Sequence, residues 1–508
     1  MTLHPSHHGA VSPHSPAIIT GTGETVTYAE LCSRANRIAH LLRSSGVATG
    51  DHVAILLDNR STFLEIAWAA QSSGLVYTPI NRHLTQAEVQ HMLDDCGAKV
   101  LFTSDTVADV AGRIDRSRLT ASFMTGTAAD GFESLDDTVR DLPTTAIADP
   151  CEGTEMLYSG GTTGAPKGVR KELRAAPLGD AGVRGVQTAQ GLAAFGMDDH
   201  TVYLSPAPLY HAAPLVYCMA VHRMGGTVVI MERFDAEQCL ALIDRHRVTH
   251  AQFVPTMFSR LLRVPDPRRQ QFDGSSLQMA IHSAAPCPVE VKRQMIGWWG
   301  PILFEYYSGT EDIGFSAITS EEWLAHPGSV GRPMSPTHIV GDDGHELGPG
   351  EPGVVYFESN DRAFAYHNDP DKTAAITDHR GWRTLGDVGY LDDGYLFLTD
   401  RVSHMIISGG VNIYPWEVEE LLATHPAVDD VAVIGVPDDD MGEQVKAVVR
   451  PIDLQTDQAA LSTELIAHCR RNLAGYKCPR SVDFVDEIPR DPNGKLMKRH
   501  LRERYWAG

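Results

Sequence analysis

From about residue 25 to 105 the apolar positions switch between two periods. Leu31, Ala35, Ile38 and Leu42 recur at the spacing of a helix face. Thr27-Tyr28-Ala29-Glu30 places a Thr cap three residues before Glu, a capping box at the start of that helix; Gly46 supplies its stop. His52–Leu57 is a continuous apolar run of strand length. Phe63, Ile66, Ala67 and Ala70 mark a second helix ending near Gly74, and Val76–Ile80 a second strand. Thr85–Glu88 is another capping box, its helix closing at Gly97 before the strand Lys99–Phe102. Strand and helix alternating through short links predict a doubly wound, mostly parallel sheet.

Residues 124–150 turn polar and aperiodic, which suits a surface excursion. Alternating apolar blocks resume over 200–316, among them Gly226–Met231 and His250–Val254. Residues 330–400 are rich in Gly, Asp and aromatic residues with short strand-like runs, the pattern of antiparallel β structure. Beyond about 403 a smaller α+β unit is expected: strands Val431–Val436, Val445–Arg450 and Val482–Val485 with a helix across Ala459–Leu473. The predicted class is therefore α/β. A large N-terminal domain (1–402) carries doubly wound, mostly parallel sheets and a β-rich subdomain, followed by a small α+β C-terminal domain (403–508). The N-terminal stretch, with His4, His7, His8 and His14 among Pro and Ser, reads as a disordered tail rather than a metal site.

The net charge of −22 changes the picture of partners. So large an acidic excess disfavours nucleic acid and anionic lipid, and any anionic substrate has to be met by local N–H groups or cations. Eight cysteines (32, 96, 151, 218, 239, 287, 469 and 478) form no Cys-x-x-Cys pair. That scatter fits reduced thiols in a cytoplasmic setting rather than a disulfide framework or a zinc site. No basic and apolar leader opens the chain and no run of 18 apolar residues occurs, so neither a signal peptide nor an integral membrane contact is expected.

The stretch Tyr158-Ser159-Gly160-Gly161-Thr162-Thr163-Gly164-Ala-Pro-Lys167-Gly-Val169 concentrates backbone N–H and hydroxyl donors on residues that permit close approach. Read alone, such a loop serves as a linker as readily as a phosphate cradle. It is not a Walker A loop, because Lys167 lies between Pro166 and Gly168. Four further segments accompany it. They are Tyr307-Ser-Gly-Thr310-Glu311, Gly381-Trp-Arg-Thr-Leu-Gly-Asp387, Asp400-Arg401 followed by Ile406–Pro415, and Pro489-Arg-Asp-Pro-Asn-Gly-Lys495. In order and spacing the five resemble the elements of the adenylate-forming superfamily of acyl-CoA synthetases, adenylation domains and luciferases, from about residue 25 to 505.

The resemblance implies a role for each residue. Ser159 to Gly164 and Lys167 form the loop around the β- and γ-phosphates of ATP, and Thr310 contacts the α-phosphate. Glu311 holds Mg²⁺, a hard cation that prefers carboxylate and phosphate oxygens. Asp387 and Arg401 bind the ribose hydroxyls, while Tyr306 or Tyr307 stacks near the adenine or fills the core. Ala285 and Pro286, within Ser283-Ala-Ala-Pro286, form the pocket floor beside the adenine. Lys495, a surface lysine by composition alone, bridges the substrate carboxylate and the α-phosphate. In the family a mobile C-terminal domain then swings about a pivot, here Ser403, so that CoA can enter along Gly409 and Gly410. Many relatives carry Asp or Lys at the pivot, and His404 stands where an acid is common, so how the second state is favoured differs here.

Pro208-Leu-Tyr-His211 matches the gate of the carboxylate site, with His211 as the gate or as a hydrogen-bonded core histidine. Ala212 and Ala213 behind it leave room for a bulky acyl group. The usual Asp for an α-amine is missing from Tyr210-His-Ala-Ala, which points away from amino-acid substrates. The expected reaction joins an amine-free carboxylic acid, fatty or cyclic/aromatic, to CoA through an acyl-adenylate at the expense of ATP. An amide synthetase or carrier-protein ligase shares the first half-reaction, and a catalytically dead nucleotide binder is the rival of another class. A homodimer is compatible with these readings and not specified by them.

Overall fold

The computed structural model describes residues 3–159, 166–193, 195–358, 364–401, 404–409, 411–438, 441–490 and 496–506. The chain divides into two compact units, one of Met1–Phe253, Arg263–Ile281 and Ala363–Ala374, the other of Val254–Leu262, His282–Arg362 and Ala375–Gly508.

The first unit contains the alternation expected from the sequence. Its six-stranded sheet runs Glu133–Ser134, Ala121–Thr125, Val100–Ser104, His52–Leu56, Val76–Pro79, Thr154–Glu155, parallel throughout. A second, largely parallel set joins Pro16–Thr20, Thr227–Ile230, Val202–Ser205 and His250–Phe253, with Thr25–Thr27 antiparallel at its edge. Both capping boxes form. The side chains of Thr27 and Thr85 accept from the N–H groups of Glu30 and Glu88, whose carboxylates accept in return from the cap N–H groups. Leu31, Ala35, Ile38 and Leu42 are all buried.

Two expectations need correction here. The stretch 124–150 is not a plain surface excursion, because Glu133–Ser134 extends the sheet and Phe132, Leu135 and Ile147 are buried. The N-terminal segment is not a disordered tail. Pro5–Val11 is a helix with Pro at its start and His4 as cap, and His4 and His8 are buried. His4 Nε2 lies 3.2 Å from Ser72 Oγ, and His8 Nε2 lies 2.9 Å from the Arg223 carbonyl. Arg223 donates to the Leu3 carbonyl and forms a buried pair with Glu152 at 2.7 Å, so long-range polar contacts hold the segment down.

The second unit is mostly antiparallel. Its larger sheet orders Leu303–Ser308, Phe315–Thr319, Ser329–Pro333, Tyr395–Arg401, Trp382–Asp392, Gly353–Glu358 and Thr337–Val340. A smaller sheet orders Val411–Ile413, Ile406–Ser408, Gly442–Pro451 and Val428–Asp438, with Ser481–Phe484 parallel to Gly442–Pro451. Alternate residues of the smaller sheet face opposite ways. Val431, Val433, Val445, Ala447 and Val449 join the core that includes Val418 and Leu465, from the helices Pro415–Ala423 and Gln458–Asn472. Ala432, Ile434, Val436 and Val448 pack instead with Leu501 of the helix Lys498–Trp506. Among the described residues no helix is long and apolar enough to cross a membrane.

Candidate active site

In the first unit the stem of the Gly/Ser/Thr loop is an antiparallel hairpin. Leu157–Ser159 pairs with Lys167–Arg170, and Ser159 stands opposite Lys167. The hairpin is extended by Ala365–Tyr366, and the Lys167 ammonium lies 5.9 Å from the centre of the Tyr366 ring. Gly160, Gly161, Thr162, Thr163 and Gly164 lie outside the described residues. Tyr158, one residue before the loop, is tied by its hydroxyl to Asp95 at 2.6 Å.

His211 caps the helix Ala212–Met224, its ring 4.6 Å from that of Tyr210. The loop leading to it is fixed by a residue the motifs do not include. Asn59, buried, donates to the carbonyls of Ala207 and Met231 and accepts from the Leu209 N–H, at 2.8–3.0 Å. Only a long-range contact reveals this role; Asn59 is 150 residues from Leu209.

The second unit holds the candidate ribose residues in one sheet and the candidate α-phosphate residue in a turn between two of its strands. Asp387 and Arg401 are directly opposite on the paired strands Trp382–Asp392 and Tyr395–Arg401. Tyr307, near the end of Leu303–Ser308, donates its hydroxyl to the Asp387 carboxylate at 2.6 Å. Its neighbour Tyr306 stacks on Phe315, with ring planes 12° apart. Strand alternation sends the two tyrosines to opposite faces, so they have different surroundings. Thr310 and Glu311 follow in a turn where Asp312 takes a left-handed backbone (φ 57°) and its N–H bonds to the Gly309 carbonyl. A side chain at Gly309 would meet Leu385 at 2.5 Å and a Glu311 carboxylate oxygen at 2.9 Å. Glycine thus lets this turn seat against the segment leading to Asp387.

Ala285 and Pro286 lie in the turn after His282, where Ala284 holds φ at 75°, a conformation that costs a residue with a Cβ on the order of 1 kcal/mol or more. Gly409 (φ 56°) follows the strand Ile406–Ser408 and donates to the Met441 carbonyl at 2.7 Å; Gly410 and Ser403 lie outside the described residues. So does Lys495, but both flanks of its loop are described. Arg490 and Leu496 form a β-bridge, and the Met497 N–H bonds to the Pro489 carbonyl. Arg490 makes two hydrogen bonds to Asp430, and Lys498, almost fully buried, pairs with Glu419 at 2.9 Å.

Comparison with known proteins agrees with this geometry. Residues 6–366 match the family model for AMP-binding enzymes, and residues 417–495 match that for the AMP-binding enzyme C-terminal domain. A feruloyl-CoA synthase of an Amycolatopsis species is 35% identical over 99% of this chain and 98% of its own length. A long-chain-fatty-acid–CoA ligase of Mycobacterium tuberculosis is 34% identical over 98% of this chain and 97% of its own. The crystal structure of ATP-bound MatB from Rhodopseudomonas palustris superimposes with a TM-score of 0.85 at 28% identity, covering 99% of both chains. The chain belongs to the AMP-binding enzyme family, within the adenylate-forming superfamily that its motifs resemble.

Proposed function

We propose that this chain is an AMP-forming acid–CoA ligase. A carboxylate oxygen of an amine-free acid attacks the α-phosphorus of ATP, pyrophosphate leaves, and the thiol of CoA then attacks the acyl-adenylate carbonyl to release AMP. The observation that carries the reading is the hydrogen bond from Tyr307 to Asp387, with Arg401 opposite Asp387 on the adjoining strand and Thr310 and Glu311 in the turn that follows the strand of Tyr307. Full-length similarity to CoA ligases supports the choice of acceptor.

Two anions must approach each other in a chain of net charge −22, so the local groups carry the burden. Asp387 accepts from the ribose hydroxyls while Tyr307 holds its carboxylate in place, and Arg401 donates from the facing strand. Ser159 to Gly164 and Lys167 cradle the distal phosphates, Thr310 donates at the α-phosphate, and Lys495 bridges it to the substrate carboxylate. His211 gates the acid pocket, Ala285 and Pro286 stand beside the adenine, and Gly409 and Gly410 line the path of pantetheine.

The donor set at Glu311 fits Mg²⁺. One Glu311 carboxylate oxygen stands 2.9 Å from where a side chain at Gly309 would begin, and among the described residues no group of three or more His, Cys, Asp or Glu side chains is placed to hold a metal. Mg²⁺ is usually held by one or two carboxylates together with phosphate oxygens. When bound it offsets phosphate charge. The division into domains at 402/403 is supported by the separate cores on the two faces of the sheet beyond Ile406. The eight free thiols suit a reducing, cytoplasmic setting.

The test is mass spectrometry of products after incubation with Mg·ATP and a panel of fatty, cyclic and aromatic acids, with and without CoA. Acyl-CoA formed only with CoA is the expected result. Acyl-adenylate that accumulates and ignores CoA would replace the ligase by an amide- or carrier-transferring enzyme.

A further inference from the structure

Beneath the turn Ser283–Pro286 the second unit buries a charged cluster that the reaction does not use directly. Lys292, on the helix Val289–Trp299, is fully buried, and its ammonium contacts the Glu305 carboxylate at 2.5 Å. His282 Nε2 lies 3.6 Å from the same carboxylate, and the Trp323 ring centre lies 4.8 Å from the Lys292 ammonium. Burial raises the affinity of Glu305 for a proton against the pull of Lys292, and burial followed by Lys292 drives the His282 pKa down, so the histidine is neutral. A buried ion pair is weak evidence of stabilisation, since an apolar pair of similar volume often serves stability as well or better. Its position is more informative. His282 immediately precedes the turn with the strained Ala284, Lys292 lies on the helix that follows that turn, and Glu305 is two residues before Tyr307 on one strand. Two residues along a strand is the same face. One pair therefore ties both flanks of the turn to the strand that presents Tyr307 to Asp387.

We propose that Lys292 and Glu305 are positioning residues for the adenosine half of ATP. Their contact sets the spacing between the Ser283–Pro286 turn and the Tyr307–Asp387 pair, which rests on the reading of these as the nucleotide-binding elements. A buried ion pair has few acceptable geometries, whereas an apolar pair slides.

The experiment compares the full-length chain with Lys292→Met and with the double variant Lys292→Met/Glu305→Leu, by calorimetric titration with AMP and with Mg·ATP and by thermal melting. Lys292→Met leaves a lone buried carboxylate and should both melt earlier and bind AMP about tenfold or more weakly. The double variant should regain the melting temperature and keep the weakened AMP binding. Recovery of AMP affinity along with stability would overturn the proposal, as would a double variant that fails to fold, since either assigns the pair to the fold alone. A wild-type chain that binds neither nucleotide would overturn the functional reading itself, together with this one. Wild-type binding with unchanged affinity in the variants would overturn only the positioning role.

Discussion

The N-terminal helix should undock in mild acid, because His4 is buried as the neutral base. Burial first, and the nearby Arg223 guanidinium second, lower its pKa from 6.5 to about 3, with Glu152 pulling the other way. A base whose pKa is lower in the docked state than when released contributes its full stability above pH 6.5. That contribution is lost as the pH falls from 6.5 towards 3. At about pH 5 the released form is favoured by proton uptake roughly thirtyfold, about 2 kcal/mol. His8, whose pKa is also lowered by burial, adds in the same direction. A chain of two units need not unfold in one step, so a global melt is the wrong assay. Hydrogen–deuterium exchange read on the peptide covering Pro5–Val11, with rates normalised to the intrinsic exchange at each pH, isolates the local equilibrium. Its protection should fall about thirtyfold or more between about pH 7.5 and 5. His4→Gln should remove most of that dependence. Equal protection at both pH values, or an undiminished fall in His4→Gln, would refute the account of His4.

Three predictions concern the site. Tyr307→Phe removes a 2.6 Å hydrogen bond to the Asp387 carboxylate, an interaction worth about 1.5–3 kcal/mol. The KM for ATP should therefore rise about ten- to a hundredfold with a much smaller change in kcat, and Asp387→Asn/Tyr307→Phe should be less than additive in steady-state kinetics. Gly409→Leu places a side chain on a backbone at φ 56° and within 2.4 Å of the Met441 methyl. Thioester formation should suffer more than acyl-adenylate formation when the two half-reactions are timed separately, and equal loss in both would argue against a pantetheine path there. Lys495→Ala should abolish most pyrophosphate release while leaving calorimetric ATP binding within a few-fold of wild type; near-normal release would remove Lys495 from the chemistry.

Residues that act through their immediate neighbours were legible in the sequence, and residues that act across the fold were not. The capping boxes at Thr27 and Thr85 are complete within four residues, whereas Gly309 finds its reason in the close approach of Leu385 from a distant segment. The N-terminal helix has no such local signature. Its histidines, Pro and Ser resemble a solvated tail until His8 meets a carbonyl 215 residues away and Arg223 reaches back to Leu3. Asn59 is invisible for the same reason, since a lone Asn after a strand is first of all a turn residue. Arg223 and Lys292 lie in helical stretches where a cation suggests a solvated face, and each is buried on a carboxylate from another element. Lys498, three residues after Lys495, is likewise buried on Glu419 and anchors the helix that follows the loop.

The meeting of Asp387 with Arg401 shows how a local signal can position a distant pair. The strands Trp382–Asp392 and Tyr395–Arg401 are joined by Asp393-Gly394, and both residues have positive φ, 49° and 76°. Asp-Gly is the pair that a two-residue hairpin turn of the primed type demands, and such a turn fixes the register of the strands it joins. Asp392 is thereby set opposite Tyr395, and a bulge between Val388 and Gly389 adds the one-residue shift that brings Asp387 opposite Arg401. Without the bulge the strand would lose that shift, and a one-residue slip sends a side chain to the other face of a sheet. Because the extra residue, Thr399, lies on the strand of Arg401, it is Arg401 that would then no longer stand opposite Asp387. The geometry around Asp387 thus depends on a turn and a bulge, and only the turn is written in residue types. The bulge follows from how the paired strands settle, which is why the two motif residues could be recognised one at a time while their juxtaposition required the fold.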